Sequence, residues 1–356
     1  MSSGADPKRF SLGVNYRLPA QCDANAAGDD FDRMALLGVD AVRVLVPWAE
    51  LQPAPECVDP DVLERLTALI VRAQSAGLRV LPALAGTLDA AEMMPRWAQA
   101  LPNLFAGPLL DAQVALAAAV AERLREHAAA IVAWDIGHEF SRVRPPRPGK
   151  VTTGDHGNAP VSEAEVAAWS KAVAQPFRAE RIPVTAGTWE RDLTTDTNVR
   201  LGSLCVPFAF ASMQAVTPLP FGRGDADPEA IPFLAMVTAA FSYKPVLMTS
   251  VGCAPDDEHA SLASATLHRL HADGRLGAYW SHWRDDTRGV IRGDGTERPV
   301  AGALAAFAKT APVVLRANEM PMISSTYYYR TLPDSTATLY DAFLGFVEAR
   351  RMVPPG

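Results

Sequence analysis

The feature that most constrains the fold is a regular alternation of short, β-rich apolar runs with longer amphipathic stretches. Eight runs are predicted as strands: 10–16, 41–46, 78–84, 130–137, 183–187, 204–212, 245–250 and 277–283. Strands that alternate with helices form parallel sheets, because each helix returns the chain to the start of the next strand. Eight such units fit a closed barrel better than an open sheet. We therefore predict an α/β fold, a single (β/α)8 TIM barrel over 10–310, with a C-terminal extension over 311–356.

The helical stretches carry their own start and stop signals. Asp59 and Pro60 open a predicted helix over 62–76, and Gly77 ends it. The segment from Ser162 to Glu165 has the pattern of a capping box, which marks the start of another helix. The other helices are predicted over 109–128, 228–241, 258–272 and 300–309, with a shorter one ended by Gly38.

The C-terminal extension is not another strand–helix unit. It contains three consecutive tyrosines, Tyr327–Tyr329, and an amphipathic stretch over 339–349. We expect the extension to pack back on the barrel, and its tyrosines either stay on the outside or reach the barrel mouth.

Composition excludes several classes of function. The net charge of the 356 residues is −7, and no Lys/Arg cluster suggests a nucleic-acid partner. No apolar run reaches the roughly 18 residues that a membrane helix needs. The N-terminal residues show no apolar core of a secretory signal, so we expect a soluble, cytoplasmic protein. The four cysteines form no CxxC pair, and neither a metal nor an organic cofactor is expected.

Five segments occur along the chain in an order that is typical of one group of barrels. They are 13–16, 42–53, 134–139, 244–252 and 289–299. Together they resemble the barrel of clan A glycoside hydrolases, closest to glycoside hydrolase family 5. The resemblance covers about 10–309, and its strength lies in order and strand placement, since no single segment is decisive.

The resemblance implies roles for several residues. In that family a Glu that follows the fourth strand is the general acid/base, and Glu139 stands there. The Arg of the second strand, which positions the nucleophile, is matched by Arg43. An eighth-strand Trp that forms the floor of the sugar site is matched by Trp280 or, with a shifted register, by Trp283.

Other positions depart from the family pattern. The seventh strand of the family ends in the nucleophilic Glu, but this chain has Ser250 there. The Asn before the acid/base is replaced by His138, and the sixth-strand His-x-Tyr by Gln214 and Val216. The predicted catalytic positions are therefore Glu139 and the substituted Ser250. The residues predicted to contact a carbohydrate or a glycosylated small molecule are Asn15, Tyr16, Arg43, Trp48, His138, Gln214, Trp280 and Trp283.

These departures matter because glycoside hydrolysis needs two carboxyl groups. They lie about 5 Å apart in retaining enzymes and about 6.5–9.5 Å apart in inverting ones. A neutral Ser hydroxyl does not stabilise an oxocarbenium-like charge, and it needs an adjacent base to become a nucleophile. His138 is a conceivable base. Without its usual Glu partner, Arg43 is expected to pair with Glu139 or with a ligand carboxylate.

Another carboxylate could replace the missing one. Asp135 lies on the same strand as the acid/base and is interpreted as a buried structural carboxylate. The other candidates follow the seventh and eighth strands, where capping and loop solvation are the more ordinary roles: Asp256, Asp257, Glu258, Asp285 and Asp286.

Four hypotheses stay open at this stage. The first is a diverged protein that binds a glycoside but cannot perform retaining hydrolysis, either a pseudo-glycosidase or an enzyme recruited to another reaction such as glycosyl transfer. The second is an active hydrolase with a displaced carboxylate, acting by inversion. The third is an engineered Glu-to-Ser change, against which the departures at His138, Gln214 and Val216 argue. The fourth is a scaffold or partner subunit whose mouth is closed by Tyr327–Tyr329. We lean toward a glycosidase-type hydrolase or a transferase.

Overall fold

The computed structural model shows a closed barrel of parallel strands surrounded by helices. It describes residues 9–18, 24–86, 94–99, 105–138, 162–195, 197, 199–224, 227–252, 260–284, 288–310, 313–314 and 324–351. The strands pair in chain order, and β1 pairs with β8, so the sheet has no free edge. The strands are β1 Ser11–Arg17, β2 Ala41–Pro47, β3 Arg79–Gly86, β4 Trp134–His138, β5 Val184–Trp189, β6 Ala211–Val216, β7 Val246–Gly252 and β8 Gly277–Trp280. The predicted (β/α)8 barrel is confirmed.

The helices surround this barrel. Those before β6 are α1 Ala24–Leu36, α2 Trp48–Leu51, α3 Pro60–Ser75, α4 Arg96–Gln99, α5 Gly107–Arg123, α6 Glu163–Ala174, α7 Arg191–Thr194 and α8 Leu201–Leu204. Those after β6 are α9 Ala230–Ser242, α10 Ala260–Ala272, α11 Pro299–Lys309, α12 Ser325–Arg330 and α13 Asp334–Arg351. Two 3-10 helices, Arg125–Ala130 and Gln175–Glu180, follow α5 and α6. In the part of the chain that the structure describes, no helix is long and apolar enough to cross a membrane.

Local capping explains where two of the helices begin and end. The Asp59 side chain accepts the backbone N–H groups of Asp61 and Val62 at the start of α3. Gly77, which follows α3, has a φ of +81°, a conformation that glycine adopts without strain. The predicted capping box at the start of α6 is also present, between Ser162 and Glu165. These sequence predictions are confirmed.

The main apolar core lies between the barrel and its helices. On β2, Val42, Val44 and Val46 are fully buried and face this layer, because alternate residues of a strand point the same way. Ala41, on the other face of β2, belongs to a separate cluster inside the barrel.

The lower end of the barrel interior is apolar. Its cluster consists of Ala41, Leu81, Ala133, Phe210, Leu247 and Tyr279. The Tyr279 ring fits only because β1 has Gly13 beside it, where a Cβ atom would overlap the ring. The Tyr279 hydroxyl lies 3.2 Å from Ser11 Oγ, and burial raises the pKa of Tyr279 to about 12, so the phenol stays neutral. The described side chains therefore fill the interior at the end where the strands begin.

The C-terminal extension packs on the helical layer, as predicted. The Tyr328 hydroxyl donates to the carbonyl of Leu193, and the Tyr340 hydroxyl donates to Asp227 at 2.6 Å. Phe343 on α13 contacts the Phe233 ring of α9 at 5.6 Å between centroids. These contacts fix α12 and α13 against the segments around β5 and β6.

The predicted sixth strand over 204–212 is wrong in register. The strand runs over Ala211–Val216, and Leu204 ends helix α8. The segment before the strand packs into the core through Leu204, Cys205 and Phe208, which are all buried. This packing accounts for its apolar residues. Such an apolar run resembles a strand in sequence. The eighth strand ends at Trp280, so Trp283 lies beyond it.

Candidate functional site

The strand register brings the predicted site residues to one end of the barrel. Asn15 on β1 pairs with Arg43 on β2, and Gln214 on β6 pairs with Ser250 on β7. Asn15, Gln214 and Ser250 lie in the carboxyl-terminal halves of their strands, and the stagger of the strands places Arg43 level with Asn15. The carboxyl ends of the strands carry the active site in barrel enzymes. We call this end the mouth.

One part of the mouth is a buried, fully bonded ion pair. Arg43 Nε and Nη2 donate to Asp135 Oδ2 at 3.0 and 2.6 Å, and both side chains are 0% exposed. Asp135 Oδ1 accepts the backbone N–H groups of Gly137 and Gly187. The Asp135 charge thus offsets the Arg43 charge, and each oxygen of the carboxylate has partners. This places Asp135 in the structural role predicted for it.

Asn15 completes this network. Its Oδ1 accepts from Arg43 Nη1 at 2.8 Å, and its Nδ2 donates to the carbonyls of Thr249 and Trp280, each at 2.9 Å. Both N–H groups of the amide are therefore used to join β1 to β7 and β8. We call Asn15, Arg43 and Asp135 the ion-pair side of the mouth. Sequence reasoning did not predict the Arg43–Asp135 pair.

Ser250 stands where the resemblance implies a carboxylate. Its neighbours Met248 and Val251 face the outer core and are fully buried or nearly so, at 0% and 1% exposure. The pairing of β6 with β7 shifts register between Met213 and Gln214, so that Gln214 is opposite Ser250. Thr249 is the extra residue of this bulge. Met213 and Met248 face outward on one side of it, so the next pair, Gln214 and Ser250, faces the interior.

The Gln214 side chain is buried, and neither end of its amide has a hydrogen-bond partner among the residues that the structure describes. It is 2% exposed, yet neither Nε2 nor Oε1 is bonded. The amide fits because β5 has Gly187, where a Cβ would overlap Gln214 Nε2 and lie 3.4 Å from Arg43 Nη2. Leaving a buried amide unpaired costs about 1–3 kcal/mol, so this group is arranged for a polar partner.

Two further hydroxyls near Ser250 lack a partner in the described part of the chain. Thr249 Oγ1 and Ser281 Oγ are buried and make no hydrogen bond to any residue there. Ser281 Oγ lies against Gly252, where a Cβ would come within 2.7 Å of it. We call Gln214, Thr249, Ser250 and Ser281 the serine side of the mouth. Thr249 and Ser281 were not predicted from the sequence, since hydroxyl residues beside a strand end carry no distinctive pattern.

A tryptophan at the end of β5 was also missed. Trp189 pairs with Gln214 in the strand register and is half-buried. The Arg191 guanidinium lies 5.1 Å from the centre of its ring. The signal was available, because Trp189 lies two residues after the predicted fifth strand, which ends at Gly187.

The predicted aromatic contacts differ in their placement. Trp48 is 1% exposed, donates to Gln52 and packs edge-on against Trp97, so the core accounts for it. Trp280 is 4% exposed at the end of β8 and donates to the Arg288 carbonyl. Trp283 is 1% exposed, and its indole N–H has no partner in the ranges that the structure describes. That they contact a sugar stays a prediction.

Tyr16 lies at the end of β1, half-buried. Its hydroxyl is 3.4 Å from Asp30, and its ring packs on Phe31 at 5.3 Å between centroids. These contacts fix the ring at the rim of the mouth, and its predicted role as a ligand contact stays a prediction.

Glu139, the predicted acid/base, lies outside the described residues, directly after β4 in the chain. His138 ends β4 and pairs with Gly187, and only its backbone is described. The displaced carboxylates suggested by the sequence also lie outside the described residues: Asp256, Asp257, Glu258, Asp285 and Asp286.

The tyrosines of the extension do not fill the mouth. Tyr328 and Tyr329 contact the Phe241 ring of α9, and Tyr329 Oη accepts the N–H of Leu201 on α8. Tyr327 is 58% exposed on the outside of the molecule. The hypothesis that Tyr327–Tyr329 closes the mouth is therefore wrong for this structure.

Solved structures share this barrel. GH5_18 from Streptomyces cattleya, in complex with GlcNAc, has a TM-score of 0.75 at 20% identity, over 88% of this chain and 82% of that one. A GH5_18 variant from Bifidobacterium longum subsp. longum ATCC 55813, in complex with Manb1-4GlcNAc, has a TM-score of 0.73 at 17% identity, over 85% and 78%. The exo-beta-1,4-mannosidase Op5Man5 from Opitutaceae bacterium strain TAV5 has a TM-score of 0.73 at 23% identity, over 88% and 62%.

The sequence matches no protein-family profile, and no curated protein matches it. The likeness therefore concerns the fold, since all three identities are low. This chain has the (β/α)8 barrel fold of clan A glycoside hydrolases such as those of family 5, as the sequence resemblance implied.

Proposed function

We propose that this protein is a diverged glycoside hydrolase-like barrel that binds a glycoside or another sugar-containing ligand at its mouth, and that it does not perform retaining hydrolysis. The observation that carries the proposal is the serine side. A neutral hydroxyl and a neutral amide, Ser250 and Gln214, face each other where a nucleophilic carboxylate would be needed.

The chemistry of the serine side favours binding over double displacement. A glycosyl–enzyme intermediate needs a carboxylate that attacks the anomeric carbon and stabilises its positive charge. Asp135 cannot take this part, because it is 0% exposed and bonded to Arg43 and to two backbone N–H groups. Two other described carboxylates near the strand ends are also bonded: Asp30 pairs with Arg284, and Asp192 accepts from the Trp189 N–H and the Thr197 hydroxyl.

The same groups suit a sugar. Gln214 offers a donor and an acceptor, and Thr249, Ser250 and Ser281 offer hydroxyls that can do either. Sugar hydroxyls need both, and Trp189 at the end of β5 and Trp280 at the end of β8 are proposed to supply apolar faces. The structural neighbours that were crystallised with GlcNAc and Manb1-4GlcNAc support a ligand of one or two pyranose rings.

A reaction other than hydrolysis fits the same site. If Glu139 keeps its acid/base role, the mouth could still transfer a glycosyl group from a donor that brings its own activated leaving group. The competing activity is inverting hydrolysis. It needs a second, displaced carboxylate in the mouth, whereas the proposed glycosyl transfer does not.

The test combines binding with turnover. The full chain is titrated calorimetrically with GlcNAc and with the Manb1-4GlcNAc disaccharide, and is then incubated with a panel of aryl β-glycosides. We expect binding without release of the phenol. In Gln214→Met, which removes the amide while it keeps the volume, affinity should fall about tenfold, the loss of one or two hydrogen bonds to a ligand.

Two variants make the result decisive. Ser250→Glu restores a carboxylate and is expected to gain aryl glycosidase turnover, which Glu139→Gln should abolish in the same background. Turnover by the unmodified chain that is lost in Glu139→Gln contradicts the proposal and favours the displaced-carboxylate hydrolase. Absence of any binding to the folded protein contradicts the sugar-binding part.

A further inference from the structure

A second cleft, of about 430 Å³, lies between the helical layer and the C-terminal extension. Small-molecule sites in proteins measure about 300–1,000 Å³, so its size suits one or two rings. The residues that line it come from the start of α6, from α8 and its preceding residue, from the end of α9 and from α12. None of them belongs to a strand or to either side of the mouth, so the cleft is a separate site.

One wall of the cleft is an exposed aromatic ring. Tyr243 follows α9, is 81% exposed and has a φ of +56°. A glycine would adopt this left-handed backbone at lower cost, so the turn itself does not explain a tyrosine. The backbone is held in place by the Tyr243 N–H, which donates to the Ala239 carbonyl at 3.0 Å. The ring is thus presented to solvent as a flat face beside the cleft.

The charges of the cleft are unequal. Arg330, at the end of α12, makes no hydrogen bond or ion pair with any part of the chain that the structure describes. Arg200 lies over the Tyr329 ring at 4.4 Å and adds a second cation. The carboxylate of Glu163 already accepts a hydrogen bond from the Ser203 hydroxyl. Burial raises the pKa of Tyr329, so that hydroxyl stays neutral and the net charge of the lining is positive.

The remaining polar groups are hydroxyls. Ser325 and Thr326, at the start of α12, line the cleft beside Tyr329. A flat aromatic face with neighbouring hydroxyls is suited to a pyranose ring, whose C–H face packs on the aromatic ring while its hydroxyl groups bond sideways. The planar fork of an arginine matches a carboxylate, to which it can donate two parallel hydrogen bonds.

We propose that this cleft binds a carboxylate-bearing sugar, a uronic acid residue, with its ring on Tyr243 and its carboxylate on Arg330. The ligand needs both features. A neutral sugar leaves the arginine without a partner, and a simple aromatic acid makes no use of the hydroxyls of Ser325 and Thr326.

The experiment titrates the full chain with glucuronate, with glucose and with benzoate, followed by calorimetry or ligand-detected NMR. Glucuronate is expected to bind, and the other two to bind at least tenfold more weakly, since each lacks about one specific interaction. Tyr243→Gly removes the ring at a backbone where glycine is at ease, and Arg330→Gln removes the charge while it keeps much of the length. Each should weaken glucuronate binding about tenfold.

Matched controls lie close by. Tyr327→Ala removes an exposed tyrosine of α12 that does not line the cleft. Lys309→Gln removes an exposed cation at the end of α11, away from the cleft. Both should leave glucuronate affinity unchanged, and Gln214→Met reports separately whether glucuronate binds in the mouth instead. Glucose that binds as well as glucuronate overturns the role of the carboxylate, and benzoate that binds as well overturns the role of the sugar ring. Loss of glucuronate affinity in Gln214→Met places the ligand in the mouth and overturns the separate site. Failure of the folded chain to bind glucuronate also overturns the proposal.

Discussion

The two sides of the mouth are built from similar polar residues but differ in how those residues are bonded. On the ion-pair side, Arg43 donates to both Asp135 and Asn15, and the two N–H groups of Asn15 are also used. On the serine side, the Gln214 amide and the hydroxyls of Thr249 and Ser281 have no partner among the described residues. Burial is nearly complete on both sides, so exposure alone does not distinguish them.

This difference indicates that the ion-pair side stabilises the fold and that the serine side is available to bind a ligand. A bonded buried group stabilises the fold it belongs to, whereas an unbonded one costs stability unless something else satisfies it. We therefore expect substitutions on the ion-pair side to lower the free energy of unfolding, and substitutions on the serine side to change ligand binding first.

The largest effect is expected for Asp135→Asn. The change removes the charge that offsets Arg43 and leaves a buried guanidinium without a carboxylate, which costs about 3–5 kcal/mol of unfolding free energy. Urea unfolding followed by circular dichroism measures it. The matched control is Asp32→Asn, which removes a carboxylate from the more exposed Arg72–Asp32 pair and should cost only about 0–1 kcal/mol. Equal losses in the two variants would show that the ion-pair side does not stabilise the barrel.

Gly187→Ala tests the space between the two sides. The new Cβ would overlap Gln214 Nε2 and lie 3.2 Å from the Gly137 carbonyl oxygen, so we expect a cost of about 1–3 kcal/mol from overpacking. Adding Gln214→Ala should restore much of the loss, because it removes the overlapping amide. Gly302→Ala on α11 is the control, since nothing lies within 4 Å of its Cβ position. It should stabilise the protein by up to about 1 kcal/mol. If the double variant is no more stable than Gly187→Ala, the Gln214 amide does not lie where the structure places it.

Gln214→Met and Gln113→Met compare an unbonded with a bonded buried amide directly. Gln113 accepts from Trp169 Nε1 at 3.0 Å and donates to the Leu109 carbonyl. Its replacement leaves the indole N–H unpaired, which should cost about 1–3 kcal/mol. Gln214→Met removes an amide that has no partner, and should leave stability unchanged or raise it by about 1 kcal/mol. Thermal unfolding of both variants decides the matter. A Gln214→Met variant as unstable as Gln113→Met would mean that the amide is bonded within the protein.

The sequence predicted what depends on local pattern and missed what depends on distance. The cap at Asp59 and the capping box at Ser162 are set by residues within one helical turn, and both are present. The barrel followed from the alternation of strands and helices along the whole chain. The Arg43–Asp135 pair joins residues 92 positions apart, and nothing in either segment indicates that the two side chains meet.

The sixth strand shows why register limited the prediction of the site. Placing the strand over 204–212 left the position of Gln214 uncertain, because a shift of one residue turns every side chain to the other face. The register shift between Met213 and Gln214 then sets which residue faces Ser250. Ser250 was placed at the end of the seventh strand by the pattern of apolar runs, and it lies in β7; the resemblance supplied only the role of that position.

The smallest effect is expected for Asp40→Asn. Asp40 extends the comparison to a carboxylate with a hydrogen bond on one oxygen only. Asp40 Oδ1 accepts from Ser11 at 2.9 Å, whereas Oδ2 accepts no hydrogen bond from any described residue. Burial raises the pKa of Asp40 above its ordinary value of 3.8. A raised folded-state pKa means that the group favours the folded protein at low pH, and that this contribution is lost as pH rises through the folded value. The free energy of unfolding of Asp40→Asn should therefore rise relative to that of the unmodified protein as pH rises above 3.8. Below this pH the two values should differ little. Unfolding free energies between pH 4 and 8 measure this gain. A gap that narrows as pH rises would mean that Arg9 and Arg79, each 3.8 Å from an Asp40 oxygen, stabilise its charge more than burial opposes it.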